Sequence, residues 1–149
     1  MLSLDTNLLL YAYSEAAPEH PAARSFLRSL AGEEKVALSE FVLVEFYGLL
    51  RNPAVLERPL RPAQAVKVVH AYRSHPVWQV VGFPADSPAL HEDLWTRAAN
   101  PRISRRAIYD ARTALTLRAF GVKEFATANP KDFEGFGFDR VWNPLAEDA

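Results

Sequence analysis

Cysteine is absent from the 149 residues of this chain. Disulfides, thiolate metal sites, iron–sulfur clusters and cysteine nucleophiles are therefore excluded, and we expect a protein of the reducing cytoplasm. No apolar run approaches the ~20 residues of a membrane-spanning helix. An acid already at Asp5 also breaks the basic and then apolar start of a secretory signal. We expect no association with a membrane.

An excess of charge of either sign is also lacking. Lys and Arg total 17 against 18 Asp and Glu, which gives a formal net charge of −1. This balance excludes a histone-like nucleic-acid binder. A local basic segment remains, because residues 101–126 hold six basic residues against two acidic ones. Arg102, Arg105 and Arg106 are candidate phosphate contacts, and a solvated helix face is the equal alternative.

Short apolar stretches alternate with segments of helical periodicity along the whole chain. The strand candidates are residues 2–4, 36–38, 77–83, 125–127 and 141–142, and the helix candidates include residues 40–50, 87–99 and 104–120. This alternation predicts a three-layer α/β/α fold with a central parallel sheet. No linker or repeat divides the chain, so we predict a single domain over residues 1–149.

Four acids stand where such a fold gathers its chemistry, beyond the carboxyl ends of the strands. Asp5 directly follows the first strand, and Glu45 and Asp110 interrupt apolar or small-residue helix faces. Asp132 follows the strand that ends near Thr127. Each position has a plain alternative: a helix cap for Asp5, an edge residue for Glu45, a salt bridge to a neighbouring arginine for Asp110, and a turn for Asp132.

Together these acids predict a metal site. Converging carboxylates raise one another's pKa unless a cation compensates them, and no basic residue adjoins all four in the sequence. Mg²⁺ or Mn²⁺ is the natural cation because both prefer oxygen ligands. Polar side chains near the strand ends could orient the acids or a phosphate, and these candidates are Asn7, Ser39, Thr127 and Asn129.

Four motifs in order resemble PIN-domain nucleases, especially the VapC-type toxins of bacterial toxin–antitoxin pairs. They are DTNLLLYA at residues 5–12, SEFVLVE at residues 39–45, IYDA at residues 108–111 and TANPKDF at residues 127–133. The resemblance covers essentially the whole chain. It implies a cytoplasmic, Mg²⁺- or Mn²⁺-dependent endoribonuclease with a PIN-like fold, in which Asp5, Glu45 and Asp110 bind the metal and cleave RNA. Asp132 would be the fourth catalytic and metal-binding acid, with Asn129 as the other possibility for that position.

The resemblance also implies a VapB-type antitoxin that silences the enzyme. A homodimer is expected as well, because the helix over residues 41–50 carries more apolar positions than one buried face needs. The alternative for that helix is burial on all sides within the monomer. For Trp95 and Tyr109 we expect core packing, with stacking on RNA bases as the alternative.

Two other functions compete with a nuclease. One is a PIN-like module that binds a partner without catalysis, although the retained acids argue against it. The other is a haloacid-dehalogenase-like phosphohydrolase, which also places an Asp after its first strand. That chemistry requires a second Asp two residues later, where this chain has Asn7.

Overall fold

The computed structural model describes residues 1–146, so the last three residues of the predicted domain lie outside the described part. Strands and helices alternate along the chain as the sequence predicts. In chain order the elements are β1 (Leu2–Leu4), α1 (Thr6–Tyr13), α2 (His20–Ser29), β2 (Ala37–Ser39), α3 (Glu40–Leu50), α4 (Pro62–Arg73), β3 (Gln79–Val81), α5 (Ser87–Ala98), α6 (Ala107–Ala119), β4 (Glu124–Ala126), a 3₁₀ turn (Pro130–Phe133) and β5 (Arg140–Trp142).

All the strand pairings in the described residues are parallel. Strands β1, β4 and β5 form one ladder with β4 in the middle, and β2 pairs with β3 in a second. An isolated parallel bridge between Leu2 and Val36 joins the two ladders, and the Leu2 N–H donates to the Lys35 carbonyl at 2.8 Å. The strand order across the molecule is therefore β3-β2-β1-β4-β5, as in a doubly wound sheet.

Successive residues of the strands point to opposite faces of the sheet and supply two separate cores. Leu4, Leu38 and Ala126 belong to the larger core, which packs against α1 to α4. Ala37 and Phe125 point the other way, into a smaller core with side chains of α6. Helices thus cover both faces of a central parallel sheet, which confirms the predicted three-layer arrangement.

Local sequence signals set the ends of several elements. Asp5 and Ser39 each precede a helix, and their side-chain oxygens accept hydrogen bonds from the N–H groups of Thr6 and Phe41. Helix α6 ends one residue before Phe120, and Gly121 then adopts a φ of 83°, a conformation that suits glycine. These caps place Asp5 at the start of α1 and send the chain from α6 into β4.

The strand predicted over residues 77–83 is shorter in the structure and covers only Gln79–Val81. The backbone N–H groups of Val77 and Trp78 donate to Nδ1 of His75 at 3.1 and 3.0 Å instead of joining the ladder. Within residues 1–146, no helix is both long and apolar enough to span a membrane.

Candidate active site

The strand order reverses between β1 and β4, and two polar side chains meet at that point. Asp5 follows β1 and Thr127 follows β4, and the two strands are paired in register. In doubly wound sheets such a reversal opens a crevice beyond the carboxyl ends of the strands, where ligands bind. The fold therefore directs Asp5 and Thr127 to the position where a site is expected.

Asp5 is held by two short hydrogen bonds. Its Oδ2 accepts from the Thr127 hydroxyl at 2.6 Å, and its Oδ1 accepts from the Thr6 N–H at 2.7 Å. Asn7 ties the same two strand ends together, because its amide donates to Thr127 Oγ1 at 3.4 Å and accepts from the Ala128 N–H at 3.2 Å. This network fixes the direction of the Asp5 carboxylate.

Glu45 reaches the site from α3. Val42 and Phe46 point into the core, whereas Glu45 is exposed on the side of the helix that faces the crevice. Its Oε2 accepts a hydrogen bond from the hydroxyl of buried Thr6 at 3.2 Å. The sequence predicts an acid within an apolar surface, and the structure instead lets the carboxylate leave that surface for the cavity.

All four predicted acids line one small cavity of about 180 Å³, together with Asn7 and Asn129. A larger cavity of about 900 Å³ shares Glu45, Asp110 and Asp132 with it. The acids come from β1, α3, α6 and the 3₁₀ turn, so they are separated in sequence and meet only in the fold. The structure thus brings together the acids that the sequence singles out.

The pKa values of two acids reflect this crowding. Burial raises the pKa of Asp5 to about 6, against the opposing effect of its hydrogen bonds from Thr127 and Thr6, with a smaller contribution from the charges of Glu45 and Asp132. Burial, followed by the charges of Asp5, Glu45 and Asp132, raises the pKa of Asp110 to about 7. Within residues 1–146, none of the four acids forms an ion pair.

Basic side chains stand on the other wall of the larger cavity. Arg105 and Arg106 line it, and so does Arg112, whose guanidinium stacks over the Phe41 ring at 4.1 Å. The salt bridge considered for Asp110 with its neighbouring arginine is not formed. Arg102 is exposed and lies outside the walls of both cavities.

Of the other polar candidates, Ser39 lies apart from the acids. Its hydroxyl caps α3, and Ser39 is not among the residues that line either cavity. Asn129 lines both cavities, and its N–H donates to Thr127 Oγ1 at 3.0 Å. The three remaining candidates therefore belong to the site, and Ser39 supports the helix that carries Glu45.

Sequence analysis missed Thr6 and misjudged two aromatic residues. Thr6 is buried and donates to Glu45, and its place between Asp5 and Asn7 was the available signal. Core packing of Trp95 and Tyr109 was wrong, because their side chains are 63% and 60% exposed. Tyr109 lines the larger cavity because α6 turns its first residues toward the crevice.

The donor set fits a hard divalent cation. It consists of carboxylate oxygens and amides, and two of the carboxyl groups are raised in pKa by burial and mutual repulsion that a cation would relieve. As the side chains stand within residues 1–146, no three of them are grouped closely enough to hold an ion. Binding would therefore require the carboxylates to turn inward.

Comparison with known proteins gives a consistent family. The model of the PIN domain family matches residues 2–138. Ribonuclease VapC24 of Mycobacterium tuberculosis is 49% identical over 149 residues, which cover 100% of both chains. The structure of M. tuberculosis VapC20, described as a sarcin-ricin loop cleaving toxin, superposes with a TM-score of 0.67 at 22% identity and covers 93% of this chain and 96% of that one. VapBC2 from Rickettsia felis, bound to a promoter DNA fragment, gives a TM-score of 0.64 at 20% identity, with 95% and 97% covered.

Proposed function

The chain belongs to the PIN domain family, and from this premise we propose that it is a Mg²⁺- or Mn²⁺-dependent endoribonuclease and the toxin of a toxin–antitoxin pair. The observation that carries the proposal is the meeting of Asp5, Glu45, Asp110 and Asp132 in one cavity at the reversal of strand order. The full-length similarity to a ribonuclease supports RNA as the substrate.

Asp5, Glu45, Asp110 and Asp132 are the residues that would hold the metal. When bound, one ion or two would lower the pKa of water and stabilise the charge that develops on the phosphate. Hydrogen bonds from Thr6 and Thr127 orient the Glu45 and Asp5 carboxylates, which limits the reorganisation that binding requires. Attack by water would leave a 5′-phosphate and a 3′-hydroxyl.

The RNA backbone would approach along the larger cavity. Arg105 and Arg106 line the wall opposite the acids, where their charges would bind phosphates on either side of the bond that is cleaved. Exposed Tyr109 stands on the same wall and offers a ring on which a base can stack. The surface is therefore anionic where the metal would bind and cationic beside it.

A VapB-type antitoxin is the partner that we propose for an apolar groove between α3 and α4. The groove has a volume of about 330 Å³, and its apolar lining comprises Leu43, Val44, Tyr47, Val66 and Val69. Val44 is 71% exposed, so α3 is not buried on all sides within the chain. Solved neighbours include toxin–antitoxin complexes, which supports a partner of this kind.

We also propose a homodimer that works in the cytoplasm. Phe83 is 65% exposed, and like Trp95 it presents an aromatic surface that a second copy could cover. RNA as substrate and the absence of cysteine both suit the cytoplasm.

The decisive experiment measures RNA cleavage with and without divalent metal. We expect cleavage with Mg²⁺ or Mn²⁺, none in EDTA, and recovery when metal is returned. Asp5→Asn should abolish cleavage while the circular dichroism spectrum stays unchanged, and Asp139→Asn, at an exposed acid outside both cavities, should remain active.

Three outcomes separate the alternatives. Full cleavage in EDTA or by Asp5→Asn would sink the metal mechanism. A chain that binds an antitoxin but cleaves no RNA in any metal would be the catalytically silent module. Release of phosphate from small phosphomonoesters without RNA cleavage would indicate the phosphohydrolase, although the Asn7 amide is already engaged by Thr127 and Ala128 rather than placed as a second acid.

A further inference from the structure

A second basic surface lies outside the acid cavities, along α2. It is a shallow groove of about 380 Å³, lined by His20, Pro21, Arg24, Ser25 and Arg28. His20, Arg24 and Arg28 follow one another at intervals of four residues, so they share one face of the helix at steps of about 6 Å. The result is a row of basic side chains rather than a single charged spot.

These basic groups are available to a ligand. Arg24 and Arg28 are exposed, and within residues 1–146 neither forms an ion pair. No acid is among the residues that line the groove. The nearest acid along the helix, Glu19, instead faces Tyr11, where its charge adds to burial in raising the pKa of that phenol.

The hydrogen bond of His20 determines which of its nitrogens is free. Its Nδ1 lies 2.8 Å from the Tyr11 carbonyl oxygen, and a carbonyl can only accept. Nδ1 therefore carries the proton and donates it, which leaves Nε2 without a described partner and available to an incoming group.

The row begins beside the acid cavity and leads away from it. Tyr11, to which His20 is bound, lines the small cavity together with Asp5. At the other end of α2, the Leu30 carbonyl accepts a hydrogen bond from the Trp78 indole at 2.8 Å, next to the start of β3. The groove thus runs from the carboxyl edge of the sheet, where the acids meet, toward its amino edge.

We propose that this α2 groove binds the phosphate backbone of RNA at a distance from the bond that is cleaved. The proposal rests on the nuclease function proposed above. Nucleic-acid interfaces are polar and strongly basic, whereas the core of a protein–protein interface needs apolar side chains, and proline is the sole apolar residue lining this groove. A linear polyanion therefore fits it better than a partner protein, and the groove would favour long or folded RNA over short fragments.

The test compares two variants with the same change in net charge. Arg24→Gln/Arg28→Gln removes the row, and Arg58→Gln/Lys67→Gln removes two exposed basic residues elsewhere. Binding of a folded RNA hairpin and of a trinucleotide is measured over a series of salt concentrations without divalent metal. Cleavage of both RNAs is then measured with Mg²⁺ or Mn²⁺.

We expect the α2 variant to lower the slope of log K against log salt by about 1.4 for the hairpin, at roughly 0.7 for each lost phosphate contact. Trinucleotide cleavage should stay unchanged, and the control variant should bind both RNAs like the wild type. Arg24→Lys/Arg28→Lys keeps the charge and should restore the slope. Arg28 lies in the last turn of α2, where a positive charge favours the helix, so Arg24→Gln alone, with half the effect, covers the case of a destabilised double variant.

Equal slopes for the α2 and control variants would overturn the proposal. Normal RNA binding with loss of the antitoxin would overturn it too and assign the groove to a protein. The nuclease function fails separately, because a chain that cleaves no RNA can still bind the hairpin through α2.

Discussion

Asp5 performs two tasks that place opposite demands on one carboxyl group. As the residue before α1 it must accept hydrogen bonds, which favour its charged form. As a buried acid beside other acids it is favoured in its neutral form, and this effect prevails, since its pKa is raised to about 6. The cost of keeping Asp5 charged is thus built into the metal-free protein.

We expect the metal-free protein to become less stable as the pH rises from 5 to 8. Folded Asp5 and Asp110 have pKa values of about 6 and 7, against 3.8 unfolded, so between those limits the folded state holds more protons. The free energy of unfolding therefore falls as pH rises through this window. For Asp5 the loss is about 3 kcal/mol at most.

Thermal melting in EDTA across that pH range checks this expectation. Asp5→Asn should flatten the dependence and be more stable than the wild type at pH 8, while Asp139→Asn should melt like the wild type. Adding Mg²⁺ at pH 8 should raise the wild-type melting temperature. A wild-type protein that loses stability on acidification from pH 8 to 6 would contradict the linkage.

Thr127 is expected to matter through its hydroxyl alone. It donates to Asp5 at 2.6 Å and accepts from Asn7 and Asn129. Thr127→Val keeps the shape but removes a bond to a charged acceptor worth about 1.5–3 kcal/mol. We expect cleavage to fall at least ten-fold and the pKa of Asp5 to rise further, with Thr127→Ser restoring both. Equal activity of the valine and serine variants would show that the hydroxyl plays no part.

The segment before α6 separates basic residues that look equivalent in the sequence. Residues 104–106 run into the first turn of the helix, so Arg105 and Arg106 face the cavity with Asp110. Arg102 precedes that turn, and its N–H is bound to Asn100 Oδ1 at 3.0 Å. Position relative to the helix start therefore decides which arginines can reach RNA.

Arg105→Gln/Arg106→Gln should weaken RNA binding and lower the salt slope by about 1.4. Arg102→Gln is the matched control and should leave the slope unchanged. The measurement is fluorescence anisotropy over a series of salt concentrations. If all three arginines affect the slope equally, the cavity does not define the path of the RNA.

Helix α3 shows how one element can serve three surroundings. Phe46 and Val42 fill the core, Glu45 faces the acids, and Val44 is left on the outside beside α4. The helix contains too many apolar residues to distinguish these sides by periodicity, and packing against α1 and α4 selects the buried ones.

At the scale of the whole molecule, the outer side of α3 should bind the partner. Val44→Glu places a charge in the apolar groove at a highly exposed position, so stability should change by less than about 0.5 kcal/mol. Co-purification with the product of the neighbouring gene should be lost. Val55→Glu, at another exposed valine outside the groove, should retain the partner. Light scattering of the lone wild-type chain should give the mass of a dimer, and a monomer that binds no neighbour would refute this assembly.

Local chemistry determined much of this protein. The alternation of apolar stretches and helical periods depends on neighbouring residues, so the order of elements and the three layers follow from the sequence. The resemblance in four motifs likewise selected Asp5, Glu45, Asp110 and Asp132 before their positions were known.

Only the tertiary structure decided what surrounds those residues. Strand pairing brings Thr127 to Asp5 across 122 positions of the chain, and the packing of α3 against α1 brings Thr6 to Glu45. The exposure of Tyr109 and the separation of Arg102 from Arg106 depend on where α6 begins above the sheet. Hydrogen bonds and burial between distant segments are set by the global fold, so local sequence patterns do not encode them.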